Sequence, residues 1–497
     1  MTPATDTRWE HLARLRDSIN PRTLGLIGAV AITLGSFGGG AIRYRGGVLD
    51  ALGLRFFSYG HGAGFSNVLF FIGTAALIAA WIILGYRIRT TSVALREINR
   101  TLAAWVAPLA LAAPMFSRDV YSYLMQGAML RDGFDPYTEG AAVNPGPLLL
   151  EVSHDWRNTT TPYGPLHLWL GEGITSISGD NVTLGVLLYK IVSLAGFIAI
   201  SWSIPKIAQH LGANPTWAQW IGVANPVMIF HLVGGMHNES VMVGLVSITI
   251  YLALRRHTPV VLLGAAIALK ATAIIALPFL VWIETHRLSN KHGIHPVVAF
   301  IISGTWMTAI TVATIAIITR LSGSSWGWVS QLSGNSKVIN PLALPTLAAD
   351  IITANGKYID ENIPYNTILS TTRTIGMIAM LLGLVIVWWL ARKTELGAIR
   401  GTAAAYTVAV LFNAVTLPWY YASLISLYGV VKPGEKLQRV MIATSLFVAW
   451  EFAGSGNHKL YDLPWVALSI ALSIAAVKVI YSGTRKGTRK PSPVPAA

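Results

Sequence analysis

The sequence predicts an all-α integral membrane protein of about 12 to 14 crossings, with outward-facing loops that carry short amphipathic helices. Three observations predict it. Mean hydropathy is +0.54, with 53% hydrophobic and 12% charged residues in 497, which excludes an ordinary soluble domain. Apolar runs of the length that spans a hydrocarbon core recur along the chain. Basic residues gather in alternate connections between those runs, as they do on the cytoplasmic side of a membrane.

Residues 1–23 are polar and basic and read as a cytoplasmic segment, not as a cleaved leader. Residues 24–481 read as one polytopic domain. Its apolar runs lie near 24–42, 67–86, 101–117, 182–203, 215–233, 238–254, 296–319, 372–391, 402–431, 438–453 and 465–481. The runs 259–284 and 402–431 are long enough to hide a hairpin, with Lys270 and Pro418 as break points. Residues 482–497 read as a disordered basic tail. Arg14, Arg16, Arg22, Arg87, Arg89, Arg255, Arg256, Arg392, Lys393, Lys432 and Lys436 fall on one side, so both termini are expected in the cytoplasm. A net charge of +15 is then a topology signal, and its scatter over short loops gives no support to a nucleic-acid partner. The chain has no cysteine, which excludes disulfides and thiolate metal sites.

Two long segments, 118–181 and 320–371, are expected on the outer face, folded over the membrane part to build a site with it. The first opens with SRDVYSYLMQGAMLRDGFDPY at 117–137. Val120, Leu124 and Ala128 form one helical row and Tyr121, Met125 and Met129 the next, predicting an amphipathic helix at the interface. Asp119 in its first turn reads as an N-cap or as a general base placed next to a lipid-borne substrate, and one residue can be both. Gly133 and Pro136 end the helix, so Asp135 reads first as a turn residue.

In TPYGPLHLWL at 161–170, Tyr163, His167 and Trp169 are candidates to stack on a sugar ring, although aromatics at this depth commonly serve as anchors. In GGMHNES at 234–240, His237, Asn238 and Glu239 sit in a connection too short for a linker, where unpartnered polar groups are costly; a hydrogen-bonded site is favoured. One His and one carboxylate do not make a metal ligand set, so a divalent metal is not implied. Lys270, mid-run in ALKATAIIALPF, must snorkel or face a cavity or partner. With Arg320 and Arg373 it is a candidate to neutralise a lipid phosphate, while LPWYY at 417–421 contributes Trp419 and SSWGWVSQLSG at 324–334 offers an acceptor groove.

Taken together, DVYSYLMQG through GFDPY, then TPYGPL, GGMHNES, and LKAT with LPF resemble the integral-membrane glycosyltransferases of the C-type fold. The nearest resemblance is to the polyprenyl-phosphate-mannose-dependent α-(1→6)-mannosyltransferases that build lipomannan in mycobacterial and corynebacterial envelopes. It covers about residues 60–470. Many such relatives have Asp where this chain has Glu239, and two adjacent acids where it has Arg118 and Asp119. The base is thereby left to Asp119 alone, without the second carboxylate of a metal site.

The resemblance implies inverting transfer of mannose from polyprenyl-phosphate mannose to a lipid-anchored α-(1→6)-mannan. Asp119 would be catalytic. Lys270, His237 and Arg373 would bind the donor phosphate, and Tyr163, Asn238, Glu239, His167 and Trp419 the substrate. Membrane lipids would be partners; no cofactor is certain, and a divalent metal stays open without being implied. An arabinofuranosyltransferase using polyprenyl-phosphate arabinose and a lipid-linked sugar flippase or transporter are the competing expectations. Gathering of carboxylates on one outer face favours catalysis over transport.

Overall fold

The computed structural model describes residues 16–331 and 338–483; Arg14, the segment up to residue 15, the tail from 484 and part of the 324–334 stretch lie outside them. The chain folds into helices, and the extended pairing among the described residues is a bridge between Phe452 and His458. Helix α1 (Pro21–Gly39) starts where Asn20 accepts the Arg22 N–H at 2.9 Å. It runs antiparallel to α2 (Gly60–Thr90), because Gly28 and Gly73 leave no side chain between the two backbones. Arg16 on the Tyr86 hydroxyl (2.7 Å) and Arg87 on the Ile19 carbonyl (2.7 Å) tie their basic ends together.

There follow α3 (Leu95–Leu109), α4 (Asp119–Arg131), α5 (Pro165–Ser178), α6 (Val182–His210) and α7 (Pro215–Gly222). The next are α8 (Glu239–Leu254), α9 (Val260–Leu269), α10 (Leu277–His292) and α11 (Pro296–Leu321). The chain ends with α12 (Leu344–Gly356), α13 (Tyr365–Leu390), α14 (Glu395–Phe412), α15 (Ala422–Tyr428), α16 (Glu435–Trp450) and α17 (Leu463–Tyr481).

Among the described residues seven stretches are long and apolar enough to cross a membrane: Pro21–Gly39, Gly60–Thr90, Val182–His210, Ala271–His292, Pro296–Leu321, Tyr365–Lys393 and Leu463–Tyr481. The bent pair Pro226–Gly234 and Glu239–Leu254, turned by 118°, brings the number to eight. Fewer stretches pass that test than there are apolar runs, and the backbone breaks inside three of the runs, two of them near the expected points Lys270 and Pro418. Run 215–233 divides into α7, a short turn at Pro226–Met228 and a π-helical turn at Ile229–Gly234. Run 402–431 stops at Phe412 and restarts as a 3-10 turn at Pro418–Tyr421 before α15. Run 259–284 breaks at Lys270, whose backbone is extended (φ −150°, ψ 122°) between α9 and a 3-10 turn.

Helix α4 departs from the amphipathic interface helix that its pattern predicts. Both apolar rows are buried, together with Tyr123 and Gly127. Leu124 packs on Gly185 of α6, and Gly127 meets Gly171 of α5 backbone to backbone. Segments 118–181 and 320–371 touch each other: Ser325 donates to Asp135 (3.1 Å), Gln331 to the Tyr137 carbonyl (2.9 Å) and Thr160 to Gln331 (2.6 Å). Asp135 also accepts from the Tyr137 N–H at 2.9 Å, so it is the turn residue that its place before proline predicts.

Candidate active site

Asp119 is the first residue of α4, yet its carboxylate does not cap the helix. The Ser117 hydroxyl accepts the Asp119 N–H (3.1 Å), which relieves the side chain of that task. The carboxylate turns instead to His237, whose Nδ1 lies 3.4 Å from Oδ2, and accepts from the Tyr123 hydroxyl at 3.4 Å. It keeps 21% of its surface exposed, toward a cavity of about 100 Å³. Burial on its own raises the carboxyl pKa. The facing His237, the Ser117 hydroxyl and the charge of Lys270 outweigh that and hold Asp119 below its usual range.

The cavity is walled by Tyr123, Trp156, Tyr163, Trp419 and Tyr420, with Ser122, Gln126, Thr159, Thr160 and Gln331 as polar groups. Flat aromatic faces beside a few hydrogen-bonding groups are what a sugar needs, since its C–H faces are apolar and its edges polar. Asp119, Ser122, Tyr123 and Gln126 fall at i, i+3, i+4 and i+7 and so share one face of α4. That face is a polar row between the two apolar ones, and it is the signal from which Tyr123 and Gln126 could have been found.

His237 is fully buried and stacks on Trp419, with ring centroids 3.6 Å apart and planes 15° from parallel. It follows Met236, which has a positive φ of 54° at the end of the broken π-helical turn. Among the described residues neither ring nitrogen has a hydrogen bond of ordinary geometry, so the Asp119 contact is one of charge and proximity. Asn238 caps α8 by position but not with its side chain, which contacts His167 Nδ1 at 3.3 Å and Lys270 at 3.5 Å. His167 is buried behind the wall, its Nε2 3.0 Å from Gln126, and burial with the nearby Lys270 charge pushes its pKa down to about 3.

Lys270 and Glu239 form a buried ion pair. The ammonium also faces the rings of Tyr420 at 4.4 Å and Tyr163 at 5.3 Å, both of which line the cavity. Lys270 is brought here because Gly164 packs on the Ala268 backbone and donates its N–H to Leu269 (3.3 Å). Glu239 sits behind the lysine, away from the cavity wall.

Arg373 stands one layer out and donates to the carbonyl of Val338, a wall residue, at 2.7 Å. Trp169 is 38% exposed and Arg320 lies exposed at the end of α11; neither lines the cavity. The structure thus gathers Asp119, Tyr163, His167, His237, Asn238, Glu239, Lys270 and Trp419, and leaves Arg373 at the rim. Among the described residues no group of three or more His, Cys, Asp or Glu side chains is gathered as a metal would require.

Residues 22–286 match the model of the α-(1→6)-mannopyranosyltransferase N-terminal domain, and residues 345–482 that of the MptB C-terminal domain. Alpha-(1→6)-mannopyranosyltransferase A of Corynebacterium glutamicum is 56% identical over 485 residues, covering 93% of this chain and 99% of its own length. Its namesake in Mycobacterium tuberculosis is 36% identical over 502 residues, covering 99% and 97%. The chain belongs to the α-(1→6)-mannopyranosyltransferase family. The B enzyme of C. glutamicum is 29% identical over 495 residues, covering 94% of this chain and 80% of its own. No solved structure matches. As a mannosyltransferase the chain has to bring a sugar donor and a glycan acceptor together, and the cavity beside Asp119 is where its polar, charged and aromatic groups converge.

Proposed function

We propose that the protein transfers mannose from polyprenyl-phosphate mannose to the 6-hydroxyl of an α-(1→6)-mannan during lipomannan and lipoarabinomannan synthesis, with inversion at the sugar carbon. The observation that carries this reading is the Asp119 carboxylate, ionised and partly open to an aromatic-walled cavity. Asp119 takes the proton of the acceptor hydroxyl as that oxygen attacks C1 of mannose. The bond from C1 to the phosphate oxygen breaks, and its electron pair leaves with the lipid phosphate. A β-linked donor then gives an α-linked product.

The leaving phosphate gains charge, so cations near it lower the barrier. Lys270 has this role, reaching past Tyr163 and Tyr420, and sharing its charge between Glu239 and the donor. His237 supports Asp119 from behind, and Trp419 holds the imidazole flat. Tyr163 and Trp419 take the sugar faces. Arg373 acts through the rim.

The site faces the outer side of the plasma membrane in this reading, and both termini lie in the cytoplasm. Support comes from the basic cluster of Arg16, Arg22, Arg87 and Arg89 at the end of α1 and α2 away from Asp119.

The test is transfer of labelled mannose by purified protein to a short α-(1→6)-mannoside, with polyprenyl-phosphate arabinose as control. Asp119→Asn is expected to stay folded and lose about 10²- to 10⁴-fold in kcat, the range for a positioned general base. Equal rates for Asp119→Asn and wild type refute the assignment of the base. Transfer of arabinose in place of mannose refutes the donor.

A further inference from the structure

A second cavity, of about 680 Å³, lies on the other side of the first turn of α4. Alternate residues of that turn separate the two spaces: Arg118 and Tyr121 line this one, and Asp119, Ser122 and Tyr123 the catalytic one. Its basic groups are Arg43, Arg55, Arg118 and Lys190. Arg43 and Arg118 share one carboxylate, Glu151, at 3.4 and 3.7 Å, and Arg55 faces Asp50 at 3.4 Å. Three guanidinium groups against two carboxylates leave a surplus of one positive charge, and Lys190 stands beside them.

Lys190 is 2% exposed, and its ammonium is held by the carbonyls of Val233 (2.9 Å), Leu109 (3.4 Å) and Gly234 (3.4 Å). The rest of the wall mixes apolar groups with Ser58, Thr183, Ser455 and Asn457, and its apolar side is open to the outside, with Leu111 73% and Leu187 48% exposed. Leu187 lies in the second turn of α6, a helix long and apolar enough to cross a membrane, so this opening is near one end of that helix, where headgroups meet hydrocarbon.

Arg43 and Arg55 are themselves anomalous. With Arg45 they occupy the connection between α1 and α2, at the end opposite to Arg22, Arg87 and Arg89. Retention of basic residues on the cytoplasmic side explains the latter three and leaves the former three unexplained. A cationic recess whose mouth is apolar fits one ligand chemistry, a phosphate group carried on a lipid.

We propose that this cavity binds the phosphate-bearing headgroup of an anionic membrane lipid, with its chains along Leu111 and Leu187. Two of the site's cations are fixed to the catalytic elements. Arg118 precedes Asp119, and Lys190 grips the carbonyls that lead into Met236 and His237. Bound lipid therefore steadies the segments that carry the Asp119 and His237 pair from behind.

The test is native mass spectrometry of the full-length protein released from phosphatidylcholine nanodiscs doped with phosphatidylglycerol. The comparison is wild type against Arg43→Gln/Arg55→Gln and against Thr183→Glu. Thr183 accepts from Arg43 at 3.0 Å, so a carboxylate there occupies the arginine that the headgroup needs.

Wild type is expected to retain phosphatidylglycerol over phosphatidylcholine, Thr183→Glu to retain it roughly tenfold less, the effect of losing one charge-assisted contact, and the double variant to retain it less still. Millimolar inorganic phosphate is expected not to displace it. Equal retention by wild type and by a variant whose thermal unfolding is unchanged, or equal retention of the two lipids, overturns the proposal. Displacement by inorganic phosphate overturns the lipid as the source of the anion.

Discussion

Removing one partner of the Lys270 and Glu239 pair separates its structural from its chemical role. Breaking a buried ion pair from one side costs about 3 to 5 kcal/mol, because the remaining charge has lost its counter-charge but not its burial. The two single changes are not equivalent. In Lys270→Met the Glu239 carboxylate, 1% exposed and with one oxygen already lacking a hydrogen bond, is left with nothing to meet it, and the full range applies.

In Glu239→Gln the ammonium keeps Asn238 at 3.5 Å and the rings of Tyr420 and Tyr163, each worth about 1 kcal/mol. The loss falls to about 1 to 3 kcal/mol. Lys270→Met/Glu239→Gln removes both charges, so the double change is less costly than the sum of the two by about 2 kcal/mol. Thermal unfolding in detergent, read by the fluorescence of the seventeen tryptophans, measures all three.

Activity takes a different course. If Lys270 stabilises the leaving phosphate, Lys270→Met and the double variant both lose about 10²-fold in kcat/KM or more, and regained stability does not bring regained transfer. A double variant that is stable and active refutes a role for Lys270 in the reaction. Additive stability losses refute the ion pair as the reason for burying the lysine.

Other outcomes follow from the same geometry. Trp419→Ala takes away the face on which His237 lies and is expected to cost about 3 to 5 kcal/mol with a large loss of kcat, whereas Trp419→Phe keeps a stacking surface and most activity; unfolding and transfer assays on both variants measure this. Gly127→Ala drives a methyl into the Gly171 backbone and is expected to lose about 2 to 3 kcal/mol, since backbone cannot yield as a side chain can; Gly173→Ala, which meets nothing within 4 Å, is the neutral control in the same unfolding assay. Between pH 6.5 and about 3 the unfolded chain protonates His167 and the folded chain does not, so this group makes stability fall with acidification, by about 2 kcal/mol at pH 5; His167→Gln is expected to flatten the pH dependence of unfolding. Asp119 adds in the same direction but only at lower pH, as the pH falls through its depressed pKa, so its protonation does not limit transfer between pH 5 and 8.

What was legible in the sequence was the chemistry that burial makes expensive. A lysine inside ALKATAIIALPF and three polar residues inside GGMHNES have no inexpensive place in a membrane protein, and the structure brings Lys270 to Asn238 and Glu239. The proline and polar breaks were readable for the same reason, because a helix cannot continue through them at low cost.

Long-range packing was not legible. Nothing in DVYSYLMQG distinguishes a helix lying at an interface from one buried on both apolar rows; the distinction is made by Gly171, 44 residues after Gly127, and by α6. Among the described residues fewer helices are long and apolar enough to cross a membrane than there are apolar runs, because hydropathy registers the apolar character of a run and not its conformation. A π-helical turn at Ile229–Gly234 and an irregular passage after Phe412 are as apolar as helix.

The reading of Asp119 as a cap shows how a local rule can be correct in kind and wrong in residue. The helix does require an oxygen at its start, and Ser117 supplies it from two positions earlier. Had Asp119 been the cap, its carboxylate would be engaged with backbone N–H groups and turned away from the cavity. With the serine in that role the aspartate is left partly exposed, ionised and open to the cavity, with His237 beside it. Ser117→Ala is therefore expected to lower kcat by drawing Asp119 back toward the helix end, and Ser117→Thr, which restores the hydroxyl, to rescue it; unchanged kcat in Ser117→Ala refutes this division of labour.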